Sequence, residues 1–288
     1  MNPSLIKEVL ISMRPRQWLK NVVVFAPLVF AVAFFDANAV KHSMLAFALL
    51  CFLASGIYLI NDICDREEDG RHPTKRERAI ASGRLPSVWA LGSALVFIAL
   101  GLWCASFLSP LTLLASLGFL AVNFLYSFGG KRIPILDVML IGVSFVMRVL
   151  IGAAAIGVPA SMWLLLTLFF LATYLGFTKR GAEFKLGGIG TRASLTGYTP
   201  AFLDHARSTT LAVTLALYTL YTFSSPFGSL MALTVPFVFF GLMRYQVIVD
   251  GDTGANDGPT DHVYRDRQLQ MAIVLWGIAV CSVVLFVK

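Results

Sequence analysis

The sequence predicts an all-α, multi-pass membrane protein. Three observations carry that prediction: an excess of apolar residues, a series of apolar windows long enough to cross a bilayer, and basic residues confined to alternate connections. Of the 288 residues, 57% are hydrophobic and only 14% charged, with a mean hydropathy of +0.76, more than a soluble domain needs to fill its core. Apolar windows centre near 22–35, 43–60, 87–107, 111–128, 135–157, 161–178, 208–226, 229–249 and 268–287. A helix crosses the hydrocarbon in about 20 residues, so these windows read as nine helical spans in a single intramembrane domain over 1–288.

The first window is short and borrows from "RPRQWLKN" before it and "DANAV" after it; the alternative is eight spans with a re-entrant segment. No small-residue cleavage site follows it, so it reads as a span, not a cleaved leader. The second, "SMLAFALLCFLASGIYLI", is uninterrupted and stops at a dense charge run. Spans three and four flank the uncharged "SFLSP", and span four ends at "YSFGGKR". Spans five and six flank "GVPAS", and span six ends in Lys179 and Arg180. Spans seven and eight flank "SSPFGS"; a Gly- and Asp-rich loop then leads to span nine.

Charge placement tests this count independently, because cytoplasmic connections accumulate Lys and Arg. Alternating the sides puts 20 of the 23 basic residues on one face, leaving Lys41 and Lys288 opposite and Arg148 within a span. That face, with the N-terminus, is expected to be cytoplasmic, and the chain to lie in the cell membrane with its chemistry facing the cytoplasm. The net charge of +7 therefore belongs to one surface. Nucleic acid is excluded as a partner, since the basic residues are spread over short intramembrane connections. Anionic lipid headgroups or phosphorylated substrates suit them. Cys51, Cys64, Cys104 and Cys281 show no paired spacing, and His42, His72, His205 and His262 offer no zinc pattern.

Residues 61–85, "NDICDREEDGRHPTKRERAIASGRL", gather six acids and six bases behind span two. Asn61, Asp65 and Asp69 are spaced i, i+4, i+8, so a helix continuing two more turns lines them on one face. Oxygen ligands of this kind suit Mg²⁺, which is held by one or two carboxylates together with substrate phosphates. The basic run after them, with Lys75 and Arg78, supplies cations for the remaining phosphate oxygens. The plainer reading is a solvated helix end whose acids and bases pair with one another.

"NDICDREED" followed by "HPTKRERAIASG" resembles the first signature of the UbiA superfamily of intramembrane prenyltransferases, nine-helix bundles. Together with "RPRQWLKN", "YSFGGKR", "KRGAE", "SLTGYT" and "RYQVIVDGDTGANDGPTD", it is similar to the superfamily's decaprenyl-phosphate phosphoribosyltransferase branch. The resemblance implies a catalytic and metal-binding set of Asn61, Asp65 and Asp69. It implies substrate contacts from Lys20, Asp62, Lys75, Arg78, Tyr126, Lys131, Lys179, Arg180, Glu183 and Tyr198. Superfamily members using a prenyl diphosphate carry a second D-x-x-x-D motif after span six; here the chain reads "TKRGAEF" instead. Exchanging an acid pair for Lys179 and Arg180 trades metal binding for direct phosphate binding. The loop also departs from the family at Thr260-Asp261.

The activity so implied is transfer of 5-phosphoribose from 5-phosphoribosyl 1-diphosphate to a long polyprenyl phosphate, with Mg²⁺ as cofactor and inversion at C1. A prenyltransferase acting on an aromatic acceptor is the alternative, and a secondary transporter a remote one. Arg148 and Asp137, on one span, lie about three turns apart, too far to pair; either is expected to contact another helix, with Arg148 read as a structural pin in the bundle ahead of a substrate contact. The resemblance also allows a homo-oligomer.

Overall fold

The computed structural model describes residues 3–72, 74–185, 193–225, 227–251, 263 and 265–286. The readings made on Pro73, Arg192, Thr260, Asp261, His262 and Lys288 lie outside the described residues. Among the described residues, every regular element is helical. They group into two compact units, one of 1–131 with 147–159, the other of 132–146 with 160–288.

The first unit comprises α1 (Pro3–Ser12), a 3-10 stretch (Pro15–Phe25), α2 (Ala26–Phe30), α3 (Ala37–Cys64), α4 (Arg66–Arg71), α5 (Ser87–Leu108), α6 (Pro110–Phe128) and the second half of α7 (Leu136–Ile156). Capping sets the helix starts: Asp36 accepts from Asn38 N–H at 2.8 Å before α3, and Ser109 from Thr112 N–H at 3.0 Å before α6. Small residues then let α3 and α5 approach closely. A Cβ on Gly56 would lie 2.9 Å from the Ala94 carbonyl oxygen, and one on Gly101 2.5 Å from Leu53 Cδ2. Beside them, Ala90, Ala94 and Ala105 are fully buried.

The opposite face of α5 is apolar and open, with Val88, Trp103 and Phe107 exposed. On a 22-residue helix without a charged residue, such a face suits contact with lipid. Within the unit, Val24, Leu49, Leu50, Leu53, Phe119 and Ile151 form a fully buried core.

The second unit comprises the first half of α7, then α8 (Met162–Lys185), α9 (Pro200–Ser224), a 3-10 stretch (Gly228–Thr234), α10 (Val235–Gly251) and α11 (Arg267–Phe286). Tyr174, Leu211, Leu242, Tyr245 and Leu269 pack as its core. Its buried hydroxyls are satisfied locally: Tyr174 donates to the Leu242 carbonyl at 3.2 Å, and Trp276 Nε1 donates to Tyr218 Oη at 2.8 Å.

Seven helices among the described residues are long and apolar enough to cross a membrane: Ala37–Cys64, Ser87–Leu108, Pro110–Phe128, Leu136–Ile156, Met162–Lys185, Gly228–Gly251 and Arg267–Phe286. They match seven of the expected windows, and the chain is an integral membrane protein. The 208–226 window overlaps α9, which begins eight residues earlier at Pro200, on an N-cap from Thr199, and ends at Ser224. Its threonines lower its apolarity, yet their hydroxyls are absorbed by the helix: Thr210 donates to the Ala206 carbonyl and Thr214 to that of Thr210, both at 2.7 Å. The 22–35 window is not one long helix. It runs through the 3-10 stretch, α2 and a short 3-10 turn at Ala33–Phe35, because the β-branched Val22–Val24 run weakens an α-helix and Pro27 withholds an N–H.

Candidate active site

The acid face begins on the last turn of α3. Its backbone departs from helical geometry at Asp65 (φ −93°, ψ 4°), and α4 then supplies one and a half further turns. The helical hydrogen bonds nonetheless run through the junction, from Asp65 N to Asn61 O at 2.9 Å and from Asp69 N to Asp65 O at 2.7 Å. Asn61 and Asp65 therefore stay on one face, and Asn61 Nδ2 donates to Asp65 Oδ2 at 3.0 Å. Asp69 is directed elsewhere. Its Oδ2 receives Arg78 at 2.6 Å, and the same guanidinium reaches Asp62 Oδ1 at 3.1 Å.

Two further bases, from distant parts of the sequence, answer these acids. Arg14, between α1 and the 3-10 stretch, donates to both Asp62 oxygens at 2.5 and 2.7 Å. It does so from a left-handed backbone (φ 54°, ψ 62°), unfavourable for a non-glycine residue. Its guanidinium lies 5.3 Å from the centre of the Tyr58 ring. Lys131, on the turn Gly130–Arg132 after α6, pairs with Asp65 Oδ1 and donates to Asn61 Oδ1 at 3.2 Å.

The acids and bases do pair, as the plain reading of a charge run has it, but not on a solvated surface. Asp62 and Asp69 are each only 4% exposed and Lys131 8%. Burial pushes the Asp69 carboxyl above the usual carboxylate range, with Arg78 pulling it back.

Fitness for a metal follows from where the oxygens point. Asn61 Oδ1 and Asp65 Oδ1 converge on one positive centre, Lys131 Nζ, so the side chains already present an amide and a carboxylate oxygen to a cation. That donor chemistry suits a hard divalent ion. The expected trio is thus divided: Asn61 and Asp65 act together, whereas Asp69 shares Arg78 with Asp62. Among the described residues, no three His, Cys, Asp or Glu side chains form a ready-made metal cluster.

The other expected residues fall in both units. Lys20 lies half-buried in the 3-10 stretch, Lys75 in the turn Lys75–Glu77, and Tyr126 on the last turns of α6. An open apolar cavity of about 220 Å³ in the first unit is lined by Trp18, Phe47, Ala48, Cys51 and Phe52. In the second unit, Lys179, Arg180 and Glu183 sit on α8, and Arg180 pairs with Glu183. Arg180 is 2% exposed, and its Nε lies 3.1 Å from Asp137 Oδ2. Tyr198 donates to Asp137 Oδ1 at 2.7 Å, Ser194 donates to Oδ2 at 3.0 Å, and the Ile135 N–H donates to Tyr198 Oη at 2.5 Å. Tyr198 and Arg180 are therefore held in a buried network centred on Asp137.

One participant escaped the sequence reading. Arg14 is carried by the quoted "RPRQWLKN" motif, but nothing in its spacing points to Asp62, 48 residues away. Asp137 meets another helix as expected, through Arg180 on α8. Arg148 does contact another element: its Nε donates to Asn21 Oδ1 at 3.0 Å, and its guanidinium lies 4.8 Å from the Phe119 ring centre.

Comparison with known proteins agrees with this architecture. The model of the UbiA prenyltransferase family matches residues 22–260. A decaprenyl-phosphate phosphoribosyltransferase of Corynebacterium glutamicum is 35% identical, across 95% of this chain and 85% of that protein. Its counterpart in Mycobacterium tuberculosis is 33% identical, across 98% of this chain and 96% of the relative. Among solved structures, a UbiA homolog from Archaeoglobus fulgidus bound to GPP and Mg²⁺ superposes with a TM-score of 0.74 at 18% identity, over 97% of this chain and 98% of that one. With a transmembrane helical fold, an acid face at the C-terminal end of α3 and full-length relatives of one kind, the chain is a membrane-embedded transferase that belongs to the UbiA prenyltransferase family.

Proposed function

We propose that this protein transfers 5-phosphoribose from 5-phosphoribosyl 1-diphosphate to a long-chain polyprenyl phosphate, releasing diphosphate. The observation that carries the reading is the part-buried pairing of Asn61 and Asp65 with Lys131, together with that of Asp62 and Asp69 with Arg78, which sets oxygen donors suited to a metal and cations suited to phosphate along one short stretch of chain. The relatives' names and the Lys179-Arg180 pair, standing where other superfamily members carry acids, favour this donor over a prenyl diphosphate. The same reading takes the protein as one intramembrane domain in the cell membrane, with its basic face and reacting groups on the cytoplasmic side.

Asn61 and Asp65 would hold Mg²⁺, which when bound offsets charge gathering on the departing diphosphate. Arg78 and Lys131 supply hydrogen bonds to phosphate oxygens as the C1–O bond to diphosphate breaks. Asp62 and Arg14 keep Arg78 oriented. The acceptor phosphate is already anionic at neutral pH, so one of its oxygens forms the new bond to C1 without a general base. Attack opposite the leaving group inverts the anomeric centre and gives a β-linked product. The polyprenyl tail needs an apolar surface, and the cavity beside Trp18 and Phe47 offers one in the first unit.

Purified protein supplied with radiolabelled phosphoribosyl diphosphate, polyprenyl phosphate and Mg²⁺ tests the reading. Label entering the lipid fraction only with the metal supports it. Label transferred instead from a prenyl diphosphate to hydroxybenzoate overturns it in favour of an aromatic prenyltransferase.

A further inference from the structure

We infer that Lys131 acts as a resident counter-ion that a divalent metal must displace, so that metal and diphosphate bind this site cooperatively. The inference rests on the site reading above, but not on which sugar or prenyl group the diphosphate carries. Lys131 Nζ occupies the point on which Asn61 Oδ1 and Asp65 Oδ1 converge, with Asn61 Oδ1 at 3.2 Å. Asn61 Nδ2 fixes the second oxygen of Asp65 at 3.0 Å, so the pair is held as a unit aimed at that ammonium. A divalent ion taking the same two oxygens would stand in contact with a like charge, and one of the two must leave.

Lys131 cannot simply withdraw into solvent, because its side chain is only 10% exposed. A buried ammonium stripped of its carboxylate needs another anion. Phosphate oxygens supply that anion, and the exchange is balanced: the carboxylate passes from ammonium to metal while the ammonium passes from carboxylate to phosphate. Metal alone leaves Lys131 uncompensated, whereas diphosphate alone finds Lys131 already engaged. Each ligand thus removes the obstacle to the other, which by linkage is positive coupling between them. Asp69 stands outside this exchange, since its partner is Arg78 at 2.6 Å.

The test uses the full-length protein in detergent, with Mn²⁺ as the probe metal and radiolabelled inorganic diphosphate as the probe anion. Neither measurement depends on turnover or on the donor's identity, so failure here and failure of the phosphoribosyl reading are separable. Bound Mn²⁺ is read from loss of its free electron-paramagnetic-resonance signal. Wild-type protein should hold Mn²⁺ weakly by itself and retain labelled diphosphate at least tenfold more tightly when Mn²⁺ is present. Lys131→Met should bind Mn²⁺ alone at least tenfold more tightly than wild type, and its diphosphate retention should weaken. Lys131→Arg, which keeps the charge, should behave like wild type toward Mn²⁺. Unchanged or weaker Mn²⁺ binding by Lys131→Met overturns the inference. So does a wild-type protein whose diphosphate affinity is indifferent to Mn²⁺, a result that needs no variant to fold.

Discussion

Removing Arg78 exposes the energetics of the acid face most directly. Its guanidinium lies 2.6 Å from Asp69 and 3.1 Å from Asp62, both buried, and Asp62 keeps Arg14 at 2.5 and 2.7 Å when Arg78 is lost. Arg78→Met therefore strands Asp69 above all. Breaking a fully buried ion pair costs roughly 3–5 kcal/mol. The Arg78 side chain is 29% exposed, so solvent screens part of the interaction, and we expect a loss of about 2 kcal/mol. Asp69→Asn in the same protein removes the charge that needed neutralising. The double variant should then be more stable than the sum of the single effects predicts, by about 1.5 kcal/mol.

Acidification gives a second reading of the same experiment. Burial already raises the Asp69 carboxyl, and losing Arg78 raises it further. A carboxyl whose folded-state pKa lies above its unfolded value binds more protons folded than unfolded, so stability rises as pH falls through the folded value. The deficit of Arg78→Met should be full at neutral pH and shrink towards zero below the ordinary carboxylate range. Unfolding in mixed detergent micelles, followed by tryptophan fluorescence, measures both effects. Single-variant effects that add within about 0.5 kcal/mol, together with a deficit that does not change with pH, would refute the argument.

Three further outcomes follow from the same contacts. Asp65→Asn should stay folded, as judged by size-exclusion profile, yet lose at least about a hundredfold of Mg²⁺-dependent label transfer, near 2.7 kcal/mol of barrier; full turnover would remove Asp65 from the chemistry. Gly152→Ala should destabilise the first unit by about 2 kcal/mol or more in the micelle assay, because the added Cβ would sit 2.1 Å from the Val24 carbonyl oxygen, backbone that cannot rotate aside. Asp137→Asn should lower stability by about 2 kcal/mol, since Arg180 loses its most buried counter-charge while keeping Glu183; an unchanged midpoint would deny Asp137 its central place in that network.

How far the sequence was legible depended on the range of the interaction. Apolar length and alternating charge placed seven helices, because burial in lipid is a property of each segment alone. The i, i+4 step correctly joined Asn61 to Asp65, since one helical turn fixes that distance. The same step could not show that Asp69 pairs with Arg78, a base nine residues further on, beyond the point where the chain leaves ideal helical geometry at Asp65. Contacts spanning long stretches of chain stayed invisible: Arg14 with Asp62, Lys131 with Asp65, and Arg148 with Asn21, which is 127 residues away. Such pairs are chosen by packing. The 22–35 window did not resolve into one helix, as apolarity alone cannot tell a long helix from a path of 3-10 turns and a short α-helix.

Charge accounting within each unit ties these contacts to function. In the first, Asp62, Asp65 and Asp69 meet Arg14, Arg78 and Lys131, so the assembled side chains carry no net formal charge. A site balanced in this way can be buried without ligand, which an acid cluster left open for metal could not. In the second unit, Arg180 faces two acids of unequal exposure: Asp137 is fully buried, whereas the Glu183 side chain is 20% exposed. A phosphate approaching Arg180 competes with Glu183 more readily than with Asp137, because displaced Glu183 can be rehydrated and Asp137 cannot. Each unit therefore holds a base paired with a carboxylate, which on the proposed function an incoming anion would replace. Under the proposed function, anion uptake would then exchange one partner of each base for another, sparing the cost of an unpaired buried charge.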